Sequence, residues 1–137
     1  MNILLFCNFL NNEVGKAGYC VHVFCPKGPS TLKELNIQES VSFFRPHHDS
    51  SLLAAALEDF TIIVMDLDTQ TVVRKFQGHT GQLTDAAFSP DARWLVTAAM
   101  DCTICTWDVP SAQLIDCFKV CINLTLVVGK YKLQLLT

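Results

Sequence analysis

Gly78-His79 stands 29 residues ahead of Trp107-Asp108, and the chain between them alternates short apolar runs with turn residues. A shift of 42 residues lays Asp49, Leu53, Ala56, Asp59, Thr61, Ile62, Asp66 and Phe76 on Asp91, Leu95, Ala98, Asp101, Thr103, Ile104, Asp108 and Phe118. These are eight identities over the 28 positions from 49 to 76. Leu67/Val109, Thr69/Ser111, Val72/Leu114 and Val73/Ile115 agree in type. A chain that repeats at a fixed period stacks one supersecondary unit on the next, because one unit alone cannot bury its own faces. The repeat therefore constrains the fold more than any other feature of the sequence.

The local pattern inside the repeat is β. Leu52 to Leu57 is a short apolar run ended by Glu58-Asp59. Thr61 to Leu67 is rich in β-branched residues, and Asp68-Thr69-Gln70 turns the chain into Thr71 to Phe76. The second unit reads as strands at about Leu83 to Phe88, Trp94 to Ala98, Thr103 to Trp107 and Gln113 to Phe118. Four short strands per unit at this period mark β-propeller blades. The expectation is an all-β chain, a partial propeller of about two four-stranded antiparallel blades over 46–118, the second complete and the first partial. Propellers close with about four to eight blades, so the chain reads as a piece of a longer one.

The flanks say less. Residues 1–45 carry no repeat signature: Met1 to Leu10 lacks a basic residue ahead of its apolar run, which disfavours a signal peptide. Tyr19 to Phe24 alternates as a strand does, and Thr31 to Val41 fits either a strand or a helical turn. Residues 119–137 are apolar and β-leaning without a third copy. Half of the 137 residues are hydrophobic, which suits strands covered by neighbouring blades. The net charge of −3 provides no basic footprint for direct nucleic-acid binding.

Seven cysteines at scattered spacing fit reduced thiols used as small hydrophobes in an intracellular protein. Cys102 and Cys105 fall on opposite faces of a strand. Cys20-x-His22-x-x-Cys25 lacks a fourth zinc ligand, with His47 or His48 the nearby imidazoles. No metal and no cofactor is expected. Asn123-Leu124-Thr125 is a glycosylation acceptor only in a secreted chain.

His79, Thr97, Asp101 and Trp107 form the candidate site. An indole donates only, a hydroxyl accepts and donates, and an imidazole relays to a carboxylate acceptor. The four are expected to form a buried hydrogen-bond chain that ties the strands to the inter-blade loop. Gly78, Asp91 and Asp108, with Asp59 and Asp66 in the first unit, complete the blade motif. A catalytic reading as a Thr-His-Asp nucleophile is the alternative. Against it, Trp107 fills the substrate's place and no oxyanion donors accompany the threonine. The first unit has Ala55 and Met65 in place of Thr97 and Trp107, which makes the chain a fold device. Ala92 stands where the turn favours glycine, and it carries a cost if the turn requires positive φ there.

These motifs identify the chain as a member of the WD-repeat family. From about His47 to Phe118 it resembles the WD-repeat subunits of the small-subunit processome. The carrying segments are His47-His48-Asp49-Ser50, Leu57-Glu58-Asp59-Phe60, Val73-Arg74-Lys75-Phe76 and Phe88-Ser89-Pro90-Asp91-Ala92-Arg93-Trp94. The longest is Ala98-Ala99-Met100-Asp101-Cys102-Thr103-Ile104-Cys105-Thr106-Trp107-Asp108, followed by Leu114-Ile115-Asp116-Cys117-Phe118. Ala92 and Cys105 depart from the family pattern, as do both ends. The resemblance implies a non-enzymatic scaffold serving small-subunit rRNA processing in the nucleus and nucleolus. Its partners would be proteins of a large ribonucleoprotein assembly, with RNA near only through that assembly. It implies no membrane and no small-molecule substrate. The alternatives are an adaptor in another pathway, such as a ubiquitin-ligase substrate receptor, and a truncated product without independent function.

Overall fold

A computed structural model describes residues 4–11, 17–24, 33–37 and 39–120, with side chains at Ile37 and over 39–120. The described residues form eleven strands and no helix. Strands β1 (Leu4–Asn11), β2 (Ala17–Phe24) and β3 (Lys33–Ile37) make an antiparallel three-stranded sheet. β4 (Val41–Pro46), β5 (Leu52–Leu57), β6 (Ile62–Asp66) and β7 (Thr71–Phe76) form one four-stranded sheet in sequence order. β8 (Leu83–Phe88), β9 (Trp94–Ala99), β10 (Thr103–Asp108) and β11 (Gln113–Lys119) form another.

Two sequence readings change here. The first unit has a fourth strand, β4, so it starts at Val41 and is not partial. The identities stop at Asp49, and only Val41/Leu83 and Ser42/Thr84 agree in type ahead of it. The stretch left open between strand and helical turn is strand β3, ending at Ile37. Residues 121–137 lie outside the described residues.

The 42-residue offset is written into the backbone more fully than into the side chains. The β4–β5 ladder slips between Val41 and Phe43, and the β8–β9 ladder slips between Leu83 and Asp85. A second slip at Val64/Met65 recurs at Thr106/Trp107. Turn hydrogen bonds recur as pairs: Glu58 N to Ser40 O with Met100 N to Gln82 O, and Leu67 N to Ser51 O with Val109 N to Arg93 O. Left-handed residues recur too, Phe60 with Cys102 and Gln70 with Ala112. Tight turns between twisted strands need positive φ at fixed positions, and here non-glycine residues supply it.

β5 and β6 are buried on both faces, which explains the unbroken apolar run Leu52 to Leu57. Leu53, Ala55, Leu57, Ile63 and Met65 pack to one side with Ile37, Val41 and Phe44. Ala54, Ala56, Ile62, Val64 and Phe76 pack to the other, against Leu83, Ala86, Phe88, Leu95, Cys105 and Trp107 of the second unit. Burying each large apolar side chain in this seam contributes about 1.5–3 kcal/mol. Three polar ties cross it: Arg45 Nε to Asp85 Oδ1 at 2.8 Å, His47 Nε2 to the Pro90 carbonyl at 2.9 Å, and Arg74 Nη2 to the Pro110 carbonyl at 2.7 Å.

Cys105 and Cys117, which face each other in the β10–β11 register, are joined as a disulfide. This corrects the expectation of reduced thiols for these two. Cross-strand neighbours bring their Cβ atoms close, and a separation of 12 along the chain does not reveal that pairing. The first unit puts Ile63 and Lys75 at the same register position, so the unit closes without the link. Cys102 is a free, exposed thiol.

Candidate functional site

The second unit brings His79, Thr97, Asp101 and Trp107 together from the β7–β8 connection, β9, the β9–β10 turn and β10. The Trp107 indole Nε1 donates to Thr97 Oγ1 at 2.9 Å. Thr97 Oγ1 lies 2.7 Å from His79 Nε2, and His79 Nδ1 lies 3.1 Å from Asp101 Oδ2. Because Trp107 can only donate, the Thr97 proton points to Nε2, and the ring carries its hydrogen on Nδ1 toward the carboxylate. Thr103 extends the chain: its hydroxyl sits 2.6 Å from Asp101 Oδ1 and 3.1 Å from His79 Nδ1.

Asp101 is the hub. Its carboxylate also accepts the amides of Thr80 at 2.9 Å and Thr103 at 2.9 Å. Burial pushes its carboxyl upward in pKa, but the Thr103 hydroxyl, the Thr80 amide, His79 and the Thr103 amide outweigh that. They bring it down to about 2. Gly81 closes the loop against the same turn: a Cβ there would stand 2.6 Å from the Asp101 amide nitrogen. Gly78 is less constrained, with the edge of the Trp107 ring 3.1 Å from where its Cβ would be.

The remaining motif carboxylates each hold one turn. Asp91 Oδ1 accepts the Ser89 hydroxyl and the Arg93 amide, and the Ser89 bond is the main cause of its lowered pKa. Asp108 Oδ2 accepts both the hydroxyl and the amide of Ser111, which lowers its pKa likewise. In the first unit Asp59 Oδ1 accepts the Thr61 amide at 3.0 Å, and Asp66 Oδ1 accepts the Ser51 hydroxyl and the Asp68 amide. These are the Asx-type turns that aspartate favours.

At the 42-residue offset, His79, Thr97 and Trp107 correspond to Ile37, Ala55 and Met65, which share one buried apolar cluster. The first unit thus fills the same volume with hydrocarbon and retains only the turn carboxylate, Asp59. Sequence reasoning found Ala55 and Met65 but missed Ile37, which lies at the end of β3, upstream of where the identities start. It also missed His47 as an inter-unit tie. That ring is buried, with Nδ1 2.7 Å from Ser50 Oγ. Its signal was the His47/Ser89 pair at the turn, which the offset aligns without identity.

Chemically the arrangement binds the blade to itself. Thr97 is fully buried and its hydroxyl is engaged at both ends, so no substrate reaches it. Among the described residues no group of three or more metal-ligating side chains converges. The Cys20, His22 and Cys25 side chains lie outside those described.

A family model described as the WDR36/Utp21 second β-propeller domain matches residues 7–129. Human WD repeat-containing protein 36 is 50% identical over 92 residues, which cover 67% of this chain and 10% of that protein. The U3 small nucleolar RNA-associated protein 21 homolog of Schizosaccharomyces pombe is 41% identical over 97 residues, 69% of this chain and 11% of its own length. The chain thus spans about a tenth of the curated relatives it matches. Among solved structures, the Cps50 (Swd1) β-propeller domain of Myceliophteria thermophila superposes with a TM-score of 0.58 at 24% identity, covering 61% of this chain and 26% of that one. U3-55K gives 0.56 at 21% identity, over 61% of this chain and 28% of its own. Both are similar in fold.

Proposed function

The chain belongs to the WDR36/Utp21 second β-propeller family, and from that membership we propose a non-catalytic scaffold in small-subunit rRNA processing. In this reading it acts in the nucleolus, within the small-subunit processome. The observation that carries the proposal is the family match over residues 7–129. Relatives whose names associate them with the U3 small nucleolar RNA agree with it.

The mechanism is presentation of loops from a rigid frame. His79, Thr97, Asp101 and Trp107 would hold the β7–β8 connection and the β9–β10 turn in one arrangement, since a fully satisfied buried network rigidifies what it joins. Asp91, Asp108, Asp59 and Asp66 would do the same for the other turns, and Gly78 would let its loop pass the Trp107 ring. Partner proteins then meet fixed rims. In this reading RNA is reached through those partners, and a net charge of −3, which offers no basic footprint, supports it.

Expression of the tagged 137-residue chain, followed by sucrose-gradient sedimentation of nuclear extract, tests the proposal. Co-sedimentation with large pre-ribosomal particles is expected. Confinement to the light fractions sinks the proposal.

A further inference from the structure

The second unit carries a covalent link that the first does without. Cys105 of β10 and Cys117 of β11 are partners in the ladder and form a disulfide. The 42-residue offset puts Ile63 and Lys75 at the same two positions, and β6 still pairs with β7 from Ile62 to Asp66. The ladder that runs from Thr103 and Lys119 to Asp108 and Gln113 therefore has what it needs to close with or without the bond.

The two sulfurs stand in unlike surroundings. Cys105 is 2% exposed and packs in the seam with Trp107 and Val109. Cys117 lies on β11, the edge of its sheet, where every residue is exposed. A reagent in solution meets the Cys117 sulfur first, and access governs which sulfur of a disulfide is attacked. Opening the bond leaves neither sulfur in difficulty. The Cys105 thiol stays packed as a small hydrophobe, with Thr103 Oγ1 at 3.8 Å to accept its S–H. The Cys117 thiol faces water. What the bond adds falls on β11, which pairs with β10 alone and carries the half-exposed Leu114, Ile115 and Phe118. A cross-link that closes a short loop restricts the detached strand far more than the paired one, so detachment is disfavoured.

We propose that Cys105 and Cys117 are a reversible redox clasp that sets how firmly β11 is held to its sheet. Hydrogen peroxide closes it. The Cys117 thiol is oxidised to a sulfenic acid with release of one water, and the Cys105 thiol attacks that sulfur and expels a second. The two thiols lose two electrons and two protons, and the peroxide takes up both pairs. A dithiol opens the clasp. Its thiolate attacks the Cys117 sulfur, the S–S bond breaks, and Cys105 leaves as a thiolate that takes up a proton. The second sulfur of the dithiol then attacks the mixed disulfide and frees Cys117, which leaves the reductant as a disulfide. The clasp does not depend on the processome reading.

Peptide mapping and hydrogen exchange on the intact 137-residue chain test it. Mapping after hydrogen peroxide is expected to give Cys105 linked to Cys117, and mapping after dithiothreitol to give both free. Amides of 113–119 are expected to exchange at least about tenfold more slowly in the peroxide-treated form. Those of 71–76, the equivalent strand without a link, should exchange alike in the two forms. Cys117→Ser should abolish the difference at 113–119, and Cys102→Ser, at the exposed thiol of the β9–β10 turn, should preserve it. Equal exchange of 113–119 in the two forms would overturn the proposal. So would a link from Cys105 or Cys117 to any other cysteine, or a difference that survives Cys117→Ser.

Discussion

Ala92 adopts φ 59° in the turn from Ser89, closed by its own amide on the Ser89 carbonyl at 2.9 Å. A Cβ in the left-handed region costs about 1 kcal/mol relative to glycine. Ala92→Gly should therefore raise stability by up to about 1 kcal/mol, read as a higher melting temperature, and a fall would show that the alanine methyl packs. Asp101 is the other residue whose local balance has a measurable consequence. Its folded pKa of about 2 lies below the ordinary aspartate value, so its contribution is complete above that ordinary value and is lost as pH falls through about 2. With 9% of the side chain exposed, the contribution is on the order of 2 kcal/mol. Acid unfolding of the wild-type chain should steepen between about pH 4 and pH 2, and Asp101→Asn should flatten that limb. Asp91 and Asp108 shift in the same direction, Asp91 from an exposed turn and Asp108 from a buried strand end.

At the scale of the element, two solutions to one packing problem sit 42 residues apart. The second unit joins the β7–β8 connection, β9 and β10 through His79, Thr97 and Trp107, and the first uses Ile37, Ala55 and Met65 in the same places. Removing one member of a buried polar chain strands its neighbours, at about 1–3 kcal/mol for each unsatisfied group. Replacing all three leaves nothing unpaired. The triple variant His79→Ile, Thr97→Ala, Trp107→Met should then cost less than the sum of the three single losses in denaturant unfolding. Additive losses would mean that the three side chains act independently. Legibility differs between these solutions for a physical reason. The polar chain demands particular donors and acceptors, so His79, Thr97, Asp101 and Trp107 were readable from the sequence. A hydrocarbon cluster accepts many residues of similar volume, so Ile37 left no mark.

Across the whole molecule, an apolar seam and three polar ties join the two four-stranded sheets. Arg74 makes one of these ties. Its Nε lies 2.8 Å from the Val109 carbonyl and its Nη2 2.7 Å from the Pro110 carbonyl. A planar fork reaches both carbonyls at once, which a lysine ammonium does not reproduce. Arg74→Lys should destabilise the chain by about 1–2 kcal/mol in chemical denaturation. Arg93→Lys, whose side chain is 62% exposed, should change stability by less than about 0.5 kcal/mol. Equal losses would place the weight on net charge instead of the tie.

The sequence by itself determined the unit, its period and the residues of the polar chain, because each rests on local rules. Turn chemistry, strand alternation and donor–acceptor complementarity are all written within a few positions of where they act. Tertiary structure decided what depends on register between strands and on contact between sheets. Val41–Pro46 becomes a strand by pairing with Leu52–Leu57, and Cys105 meets Cys117 because β10 and β11 align them. His47 becomes a tie because Pro90 of the next unit comes within reach. The Gly78-His79 to Trp107-Asp108 signature names the unit. What the unit packs against is a property of its faces, and only assembled sheets show which of them are covered.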